Sequence, residues 1–341
     1  MTIYMVGGIS ANLKPIWQRL YPTAEGRNSM KIFLAGCYSR PWCIEEWYAA
    51  LEKAENKKRE EADMLIAFAG KPHMGVKNEI ADIIKAEKQE GSDMNLALAG
   101  GYGERRNRVP IDAQKGVSIL ESFYYADDFT EKMIPFFKKF LLDSGAFTLF
   151  TDKSKGSGIV WEDYVDRYAD FIIRNNVELF FELDIDKLVG KDKVLELRRR
   201  LEKKAGRQCI PVWHKFRGKE AFLRMCDEYK YVAIGGIVSK EIMPEEYKYF
   251  PWFIDKAHKA GAKIHGLGFT ALTGLPKYHF DSVDSTAWTT GNRFGAVYKF
   301  DGRTMVKISR GEGQRLKDSR AVAINNFNEW VKFQKWAEVH L

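Results

Sequence analysis

Short apolar runs ending in glycine recur along the first hundred residues: TIYMVGG (2–8), KIFLAGC (31–37), MLIAFAGK (64–71) and NLALAGG (95–101). Each reads as a buried strand closed by a turn. Charged, helix-favouring stretches follow two of them, CIEEWYAALEKAENKKREEAD and VKNEIADIIKAEKQEGSD. That is the rhythm of β-α units building a parallel sheet. From about residue 95 the strand segments become regular: NLALAG, VSILESFYYA, FLLDSGAFTLF, ELFFELDID, CIPVWH, YVAIGGIV, KIHGLGFT and FDSVDST. Helical patterns separate many of them, including WEDYVDRYADFIIRNN (161–176), KEAFLRMCDEY (219–229) and PWFIDKAHKAGA (251–262), the last closing at a glycine. Eight strands with helical crossovers over roughly 200 to 250 residues predict an α/β fold, a (β/α)8 TIM-like barrel. A doubly wound open sheet has a similar period. The expected organisation is an N-terminal α/β repeat region over 1–93, packed on a barrel over 94–341. None of the glycine turns belongs to a GxxxxGK[ST] or GxGxxG phosphate loop.

Composition narrows the class. The chain has 341 residues, 45% hydrophobic and 29% charged, values of a globular protein. No apolar run approaches the roughly 18 residues that span a bilayer, so no membrane partner is expected. The N-terminal MTIYMVGGISANLKP lacks a signal-peptide pattern, and a cytoplasmic location is expected. Cys37, Cys43, Cys209 and Cys226 are scattered and complete no zinc pattern, so reduced thiols and no metal are expected. A net charge of +8 favours a polyanionic partner, although a generally basic solvated surface gives the same number.

In a barrel, chemistry collects at the C-terminal ends of the strands. There the sequence places Asp143, Ser144 and Gly145; Glu182, Asp184 and Asp186; Trp213 and His214; Gly235 and Gly236; His265; and Asp281 and Asp284. Carboxylates accept hydrogen bonds from ring N–H and amino groups, glycine lets backbone amides approach ring carbonyls, and aromatic rings stack on a planar base. Each residue alone reads as readily as a cap, a turn or core packing. The convergence of many at strand ends raises the reading of a site for a planar, hydrogen-bonding ring. Asp281 and Asp284 are three apart in HFDSVDSTAWTTGNRFG (279–295), so in an extended strand they point to opposite sides and at most one faces a shared pocket.

These segments resemble the motifs of the tRNA-guanine transglycosylase family. LLDSGAFTLF is similar to its DSGGFQ, VAIGGIV to its GGLAVGE, IHGLGFT to its MGVG strand and HFDSVDS to its VDMFDCV, in the same order over roughly 120–295. ILESFYY, DSGAF and SVDSTAW look closer still to the phage-encoded, DpdA-type branch, which replaces guanine in DNA by a 7-deazaguanine. The family's CxCxxC…H zinc site has no counterpart, because no cysteine follows Cys226. Its IVQGG glutamine is replaced in PVWHK, where Trp213 or His214 stands, and no archaeal-type RNA-binding domain is recognisable.

The resemblance implies base exchange in DNA with no cofactor. Asp284 would be the nucleophile and Asp143 the general acid/base; the competing register, FDCV onto Phe280–Val283, makes Asp281 the nucleophile. Asp184 would bind the base amine and ring N–H. Gly235, Gly236 and the Ile237 backbone would meet the ring carbonyl and 7-substituent, with Ser144, His214 and Asp281 as further contacts. The implied partners are flipped or single-stranded guanine in DNA and a free 7-deazaguanine base such as 7-cyano-7-deazaguanine. Host cytoplasm would be the location of a phage-encoded chain, and a homo-oligomer is compatible with the sequence. Arg293 would hold a flanking phosphate, in a track extended by the basic segments 191–207 and 307–320; an amphipathic helix with Val194, Leu195, Leu197 and Leu201 buried is the other reading of 191–207. The alternatives are the same chemistry on tRNA, a nucleobase-binding barrel without turnover, and an unrelated lyase or aldolase barrel. For the last, no lysine lies inside an apolar strand as a Schiff-base lysine would.

Overall fold

A computed structural model describes residues 30–69, 116–151, 158–269, 271–289, 296–309 and 318–341. The elements in chain order are β1 (Lys31–Ala35), α1 (Pro41–Ala69), β2 (Ser118–Ser122), α2 (Asp128–Met133), β3 (Lys139–Asp143), α3 (Ala146–Thr151), α4 (Trp161–Arg174), β4 (Leu179–Phe180), α5 (Asp186–Val189), α6 (Lys191–Ala205), β5 (Val212–Trp213), α7 (Gly218–Glu228), β6 (Tyr231–Ile234), α8 (Phe250–Lys259), β7 (Lys263–Gly266), β8 (Ser282–Ser285), the antiparallel pair β9 (Ala296–Phe300) and β10 (Met305–Ser309), and α9 (Ser319–His340).

β1 to β8 form one parallel sheet in the order 4-3-2-1-8-7-6-5. A parallel bridge between Phe181 and Ile210 joins the two outer strands, with Ile210 N–H donating to Phe180 O at 2.8 Å and Glu182 N–H to Ile210 O at 3.1 Å. The sheet therefore closes on itself as a (β/α)8 barrel, and the open doubly wound alternative falls. Side chains alternate as the strand period requires. Phe33, Ala35, Leu120, Leu141, Phe181, Ile210, Val212 and Ala233 fill the barrel interior. Their neighbours Ile32, Leu34, Ile119, Phe140, Leu142, Phe180, Val232, Ile234, Ile264 and Val283 face the surrounding helices in a second, larger core.

Two expectations change. The first barrel strand is Lys31–Ala35, held between β2 and β8, so a barrel strand comes from the segment assigned to the N-terminal extension. NLALAG, counted in its place, lies outside the described residues, as does TIYMVGG. Met64–Ala69, read as a strand, is the end of α1. Pro41 stands at the first helical position and no glycine or proline follows until Gly70, so nothing breaks the helix before its apolar tail.

The closing seam is short, and a buried side chain reinforces it. Glu182 is fully buried and turned outward. Its Oε1 accepts from Val212 N–H at 2.7 Å and Arg217 at 3.3 Å, and its Oε2 accepts from Arg198 Nε at 2.6 Å. Arg217 also clasps Asp186, donating from Nε to Oδ1 at 3.0 Å and from Nη2 to Oδ2. Elsewhere, Gln334 of α9 plugs the feet of β1 and β2, donating to Ile32 O and Ser118 O and accepting from Ser118 N–H at 2.9 Å.

Removing one member of a buried, hydrogen-bonded charge cluster leaves the others uncompensated. Glu182→Leu should therefore lower unfolding stability by about 3–5 kcal/mol in urea titration, far more than an exposed Glu→Leu change. An unchanged midpoint would show that the seam does not need this clamp.

Candidate functional site

All eight strands point their C-terminal ends at one cavity of about 330 Å³, within the range of about 300–1,000 Å³ common for small-molecule sites. Its walls include Gly36 after β1, Glu121 and Ser122 of β2, Asp143 and Ser144 at the end of β3, Asp184 and Asp186 after β4, His214 after β5, Gly236 after β6, Gly268 after β7 and Asp284 of β8.

Asp143 ends β3 where the backbone turns sharply at Gly145, whose φ is +75°. A Cβ there would sit 2.5 Å from Tyr124 Cβ and 2.8 Å from Ser122 Oγ, so glycine is required on both conformational and steric grounds. The turn aims the Gly145 N–H back at Asp143 Oδ2, 3.1 Å away. Burial pushes the Asp143 carboxyl up to about 6; the Gly145 N–H pulls it down, and the neighbouring Asp184 and Asp284 charges push it up.

Across the seam, Asp184 and His214 form a direct pair, Oδ1 to Nε2 at 2.6 Å. The other ring nitrogen of His214 is 3.3 Å from Glu241 Oε2. Burial alone lowers the imidazole's pKa, but the Asp184 hydrogen bond and the Asp184 and Glu241 charges outweigh it, and the net shift is upward. Asp184, Asp186 and His214 bring one possible donor atom each within 4.8 Å of one another. These donors are already partnered, Asp186 by Arg217 through both oxygens and Asp184 by His214.

Asp284 faces inward from β8. Its Oδ1 accepts from Gly268 N–H at 2.5 Å and lies 3.2 Å from His265 Nε2. Gly268 has a φ of +71°, and a Cβ there would come within 2.2 Å of Val238 Cγ2. Asp281 lies at the opposite end of the barrel. Its Oδ2 accepts from Ile264 N–H at 2.8 Å and contacts His258 Nε2 at 2.9 Å, tying α8 and the foot of β7 to β8.

The structure thus brings Asp143, Ser144, Asp184, His214, Gly236 and Asp284 to the cavity. Asp281 is corrected to a structural residue at the far end. Gly235 is covered by Val212 and His214, and Ile237 is buried in the outer core, so neither is a wall residue. Trp213 packs outward on Phe222 and Phe253. Arg293 lies outside the described residues. Segment 191–207 forms the amphipathic helix α6, which buries Val194, Leu197 and Leu201 with Leu195 half-buried, and its Lys193, Arg200 and Lys204 pair with Glu162, Asp166 and Asp170 of α4. Of the segment 307–320, residues 310–317 lie outside the described residues. No described lysine is buried; Lys187 at the rim is paired with Glu241 and Lys215 with Glu246. The four cysteines are free and buried.

Three wall or rim features escaped sequence reasoning. Tyr38 and Tyr125 stack at the mouth, ring centroids 3.9 Å apart and 8° from parallel. Phe216 stacks over His214 at 5.7 Å and 16°. Glu121, in ILESFYY, accepts from Tyr38 N–H at 2.8 Å and Ser122 N–H at 3.0 Å. Burial raises its carboxyl to about 7, against those two donors. The only sequence signal was a carboxylate followed by clustered aromatics at a strand end.

Comparison with known proteins adds little. No family model matches the chain, and no curated protein matches it. Among solved structures it is similar to one titled "QR15, an Aldolase", at 13% identity and a TM-score of 0.32, covering 52% of this chain and 92% of that one. Among the described residues no helix is long and apolar enough to cross a membrane.

Glu121 gives a pH test. Its folded pKa is raised to about 7 from 4.5, so between those values the folded chain holds a proton that the unfolded chain has lost. Stability contributed by neutral Glu121 is complete below about pH 4.5 and is lost as pH rises to about 7. Relative to wild type, Glu121→Gln should gain stability between pH 5 and pH 8. Parallel pH-stability curves from denaturant titrations would contradict the assignment.

Proposed function

We propose that the protein exchanges guanine in DNA for a 7-deazaguanine base through a covalent enzyme–deoxyribose intermediate. The observation that carries the reading is the meeting of Asp143, Asp184 and Asp284 from three different strands in one cavity, with Asp143 held near pKa 6. A carboxyl titrating near neutrality can both give and take a proton at working pH, as general acid–base catalysis needs. Asp284, fixed through one oxygen, has a second to offer an electrophile. The motif resemblance assigns the same two residues the same two roles.

The chemistry follows a retaining glycosidase. Asp284 attacks C1′ of the target nucleotide; the C1′–N9 bond breaks and its electron pair leaves with guanine, which takes the proton of Asp143. Guanine diffuses out and the 7-deazaguanine enters. Asp143, now a carboxylate, takes the N9 proton of the incoming base; N9 attacks C1′, and the bond to Asp284 breaks to return the carboxylate. Asp184 suits the shared donor edge of both bases, an amine and a ring N–H, and its hydrogen bond to His214 holds it in place.

The cavity lies at the bottom of the barrel mouth, so a base stacked in a duplex cannot reach it and must be flipped or single-stranded. The stacked Tyr38–Tyr125 pair and Phe216 at the rim offer π-faces to neighbouring bases.

The test incubates purified protein with DNA carrying radiolabelled guanine and excess 7-cyano-7-deazaguanine. Release of label is expected from single-stranded DNA. It should be abolished in Asp284→Ala, lowered by about 10²–10⁴-fold in Asp143→Asn, and retained in Asp281→Ala below that variant's melting temperature. Exchange on tRNA and not on DNA would move the substrate assignment to tRNA. Silence on both would contradict transglycosylation and favour a base-binding barrel.

A further inference from the structure

A line of polar groups runs up the barrel interior among apolar side chains. The Tyr231 hydroxyl, at the foot of β6, bonds Ser282 Oγ of β8. Ser282 Oγ lies 2.5 Å from His265 Nδ1 of β7, and His265 Nε2 lies 3.2 Å from Asp284 Oδ1. His265 and Ser282 are completely buried. The rings of Phe33 and Phe181 flank the imidazole at 6.3 and 5.3 Å. Buried polar groups in an apolar barrel are costly unless every one is paired.

Hydrogen-bond counting gives the line a direction. Tyr231 and Ser282 have one hydroxyl hydrogen each, a neutral imidazole has one N–H, and an Asp284 carboxylate only accepts. If Ser282 donated to Tyr231, His265 Nδ1 would have to carry the imidazole hydrogen, and a bare Nε2 would face the carboxylate. In the opposite direction every group is satisfied: Tyr231 donates to Ser282, Ser282 to Nδ1, and Nε2–H to Asp284. Burial raises the Tyr231 phenol's pKa, which keeps it a donor.

We propose that Tyr231, Ser282 and His265 are positioning residues that lock His265 as the neutral Nε2–H tautomer and thereby fix the Asp284 carboxylate for attack. His265 and the Gly268 N–H both hold Oδ1. Among the described residues Oδ2 makes no hydrogen bond, so it is the oxygen left for the sugar carbon. When the ester forms through Oδ2, Oδ1 becomes its carbonyl oxygen and keeps both donors. When the sugar departs, the same donors receive the returning negative charge. The line ends at the half-buried Tyr231 phenol at the foot of β6, and its role is to orient the carboxylate. The kinetic part of this proposal rests on the transglycosylase reading; the tautomer does not.

The test has two arms on the full chain. Long-range nitrogen NMR of histidine-labelled protein, with the His265 signals identified by their loss in His265→Gln, reads the tautomer without substrate. A protonated Nε2 and a bare Nδ1 are expected; a protonated Nδ1 or an imidazolium would overturn the proposal. In the exchange assay, His265→Leu should lower kcat about 100-fold, the scale of a misplaced catalytic group, with KM within about twofold. His265→Gln, whose amide can accept from Ser282 and donate to Asp284, should recover about a tenfold share of that loss, since tenfold corresponds to about 1.4 kcal/mol, the upper end of what one hydrogen bond is worth. Ser282→Ala, which leaves Nδ1 without its donor, should cost about tenfold by the same measure. Equal kcat in wild type, His265→Leu and Ser282→Ala, or loss expressed only in KM, would overturn the positioning role. A wild type that exchanges no base would overturn the transglycosylase reading, while the NMR arm still decides the hydrogen-bond line.

Discussion

The closure between β4 and β5 is the constraint on which the site depends. Every other strand pair is joined by a ladder, but this seam has one backbone bridge, Phe181 to Ile210, and the Glu182 carboxylate bonding Val212 N–H. Arg198 and Arg217 neutralise Glu182 from the helix side, and Arg217 reaches on to Asp186. Asp184 and His214 are the next inward-facing residues beyond the seam on either side, and they meet at 2.6 Å. An open seam would separate that pair and remove one wall of the cavity. The charge cluster outside the barrel therefore sets geometry inside it.

A second constraint is parity. Along each strand one set of side chains fills the barrel and the other faces the helices, so a polar residue on the inward phase near the strand's C-terminal end reaches the cavity, while one on the outward phase reaches it only at the very end of its strand, as Glu121 does. Asp143, Asp284 and His214 satisfy both conditions. Glu182 has the right height and the wrong phase. Asp281 is a full three residues too early, and its carboxylate serves the barrel's other end.

This separates what was legible in the sequence from what was not. Seven of the strand segments expected from the apolar pattern carry β2–β8, because buried parallel strands are short apolar runs bounded by turns. The opposed facing of Asp281 and Asp284 was readable from their spacing; which of them faces the cavity needed the direction of β8. β1 was displaced onto NLALAG because glycine-ended apolar runs recur four times near the N-terminus and local pattern cannot say which one joins the sheet. Helix α1 swallowed MLIAFA because a short apolar run carries no period of its own. The Glu182 clamp, the Tyr38–Tyr125 stack and the Tyr231–Ser282–His265 line are built by residues 16 to 87 positions apart in sequence. Such juxtapositions depend on register between strands, which no local pattern contains.

The central claim is that Asp284 becomes covalently bound to the sugar. The most direct measurement is to quench the protein in acid while it turns over a single-stranded guanine oligonucleotide, digest it, and locate the adduct by peptide mass spectrometry. A deoxyribose-linked mass on Asp284, absent from Asp284→Asn, is the predicted result. Base exchange with the adduct on another residue, or with inversion at C1′ and no adduct, would contradict it.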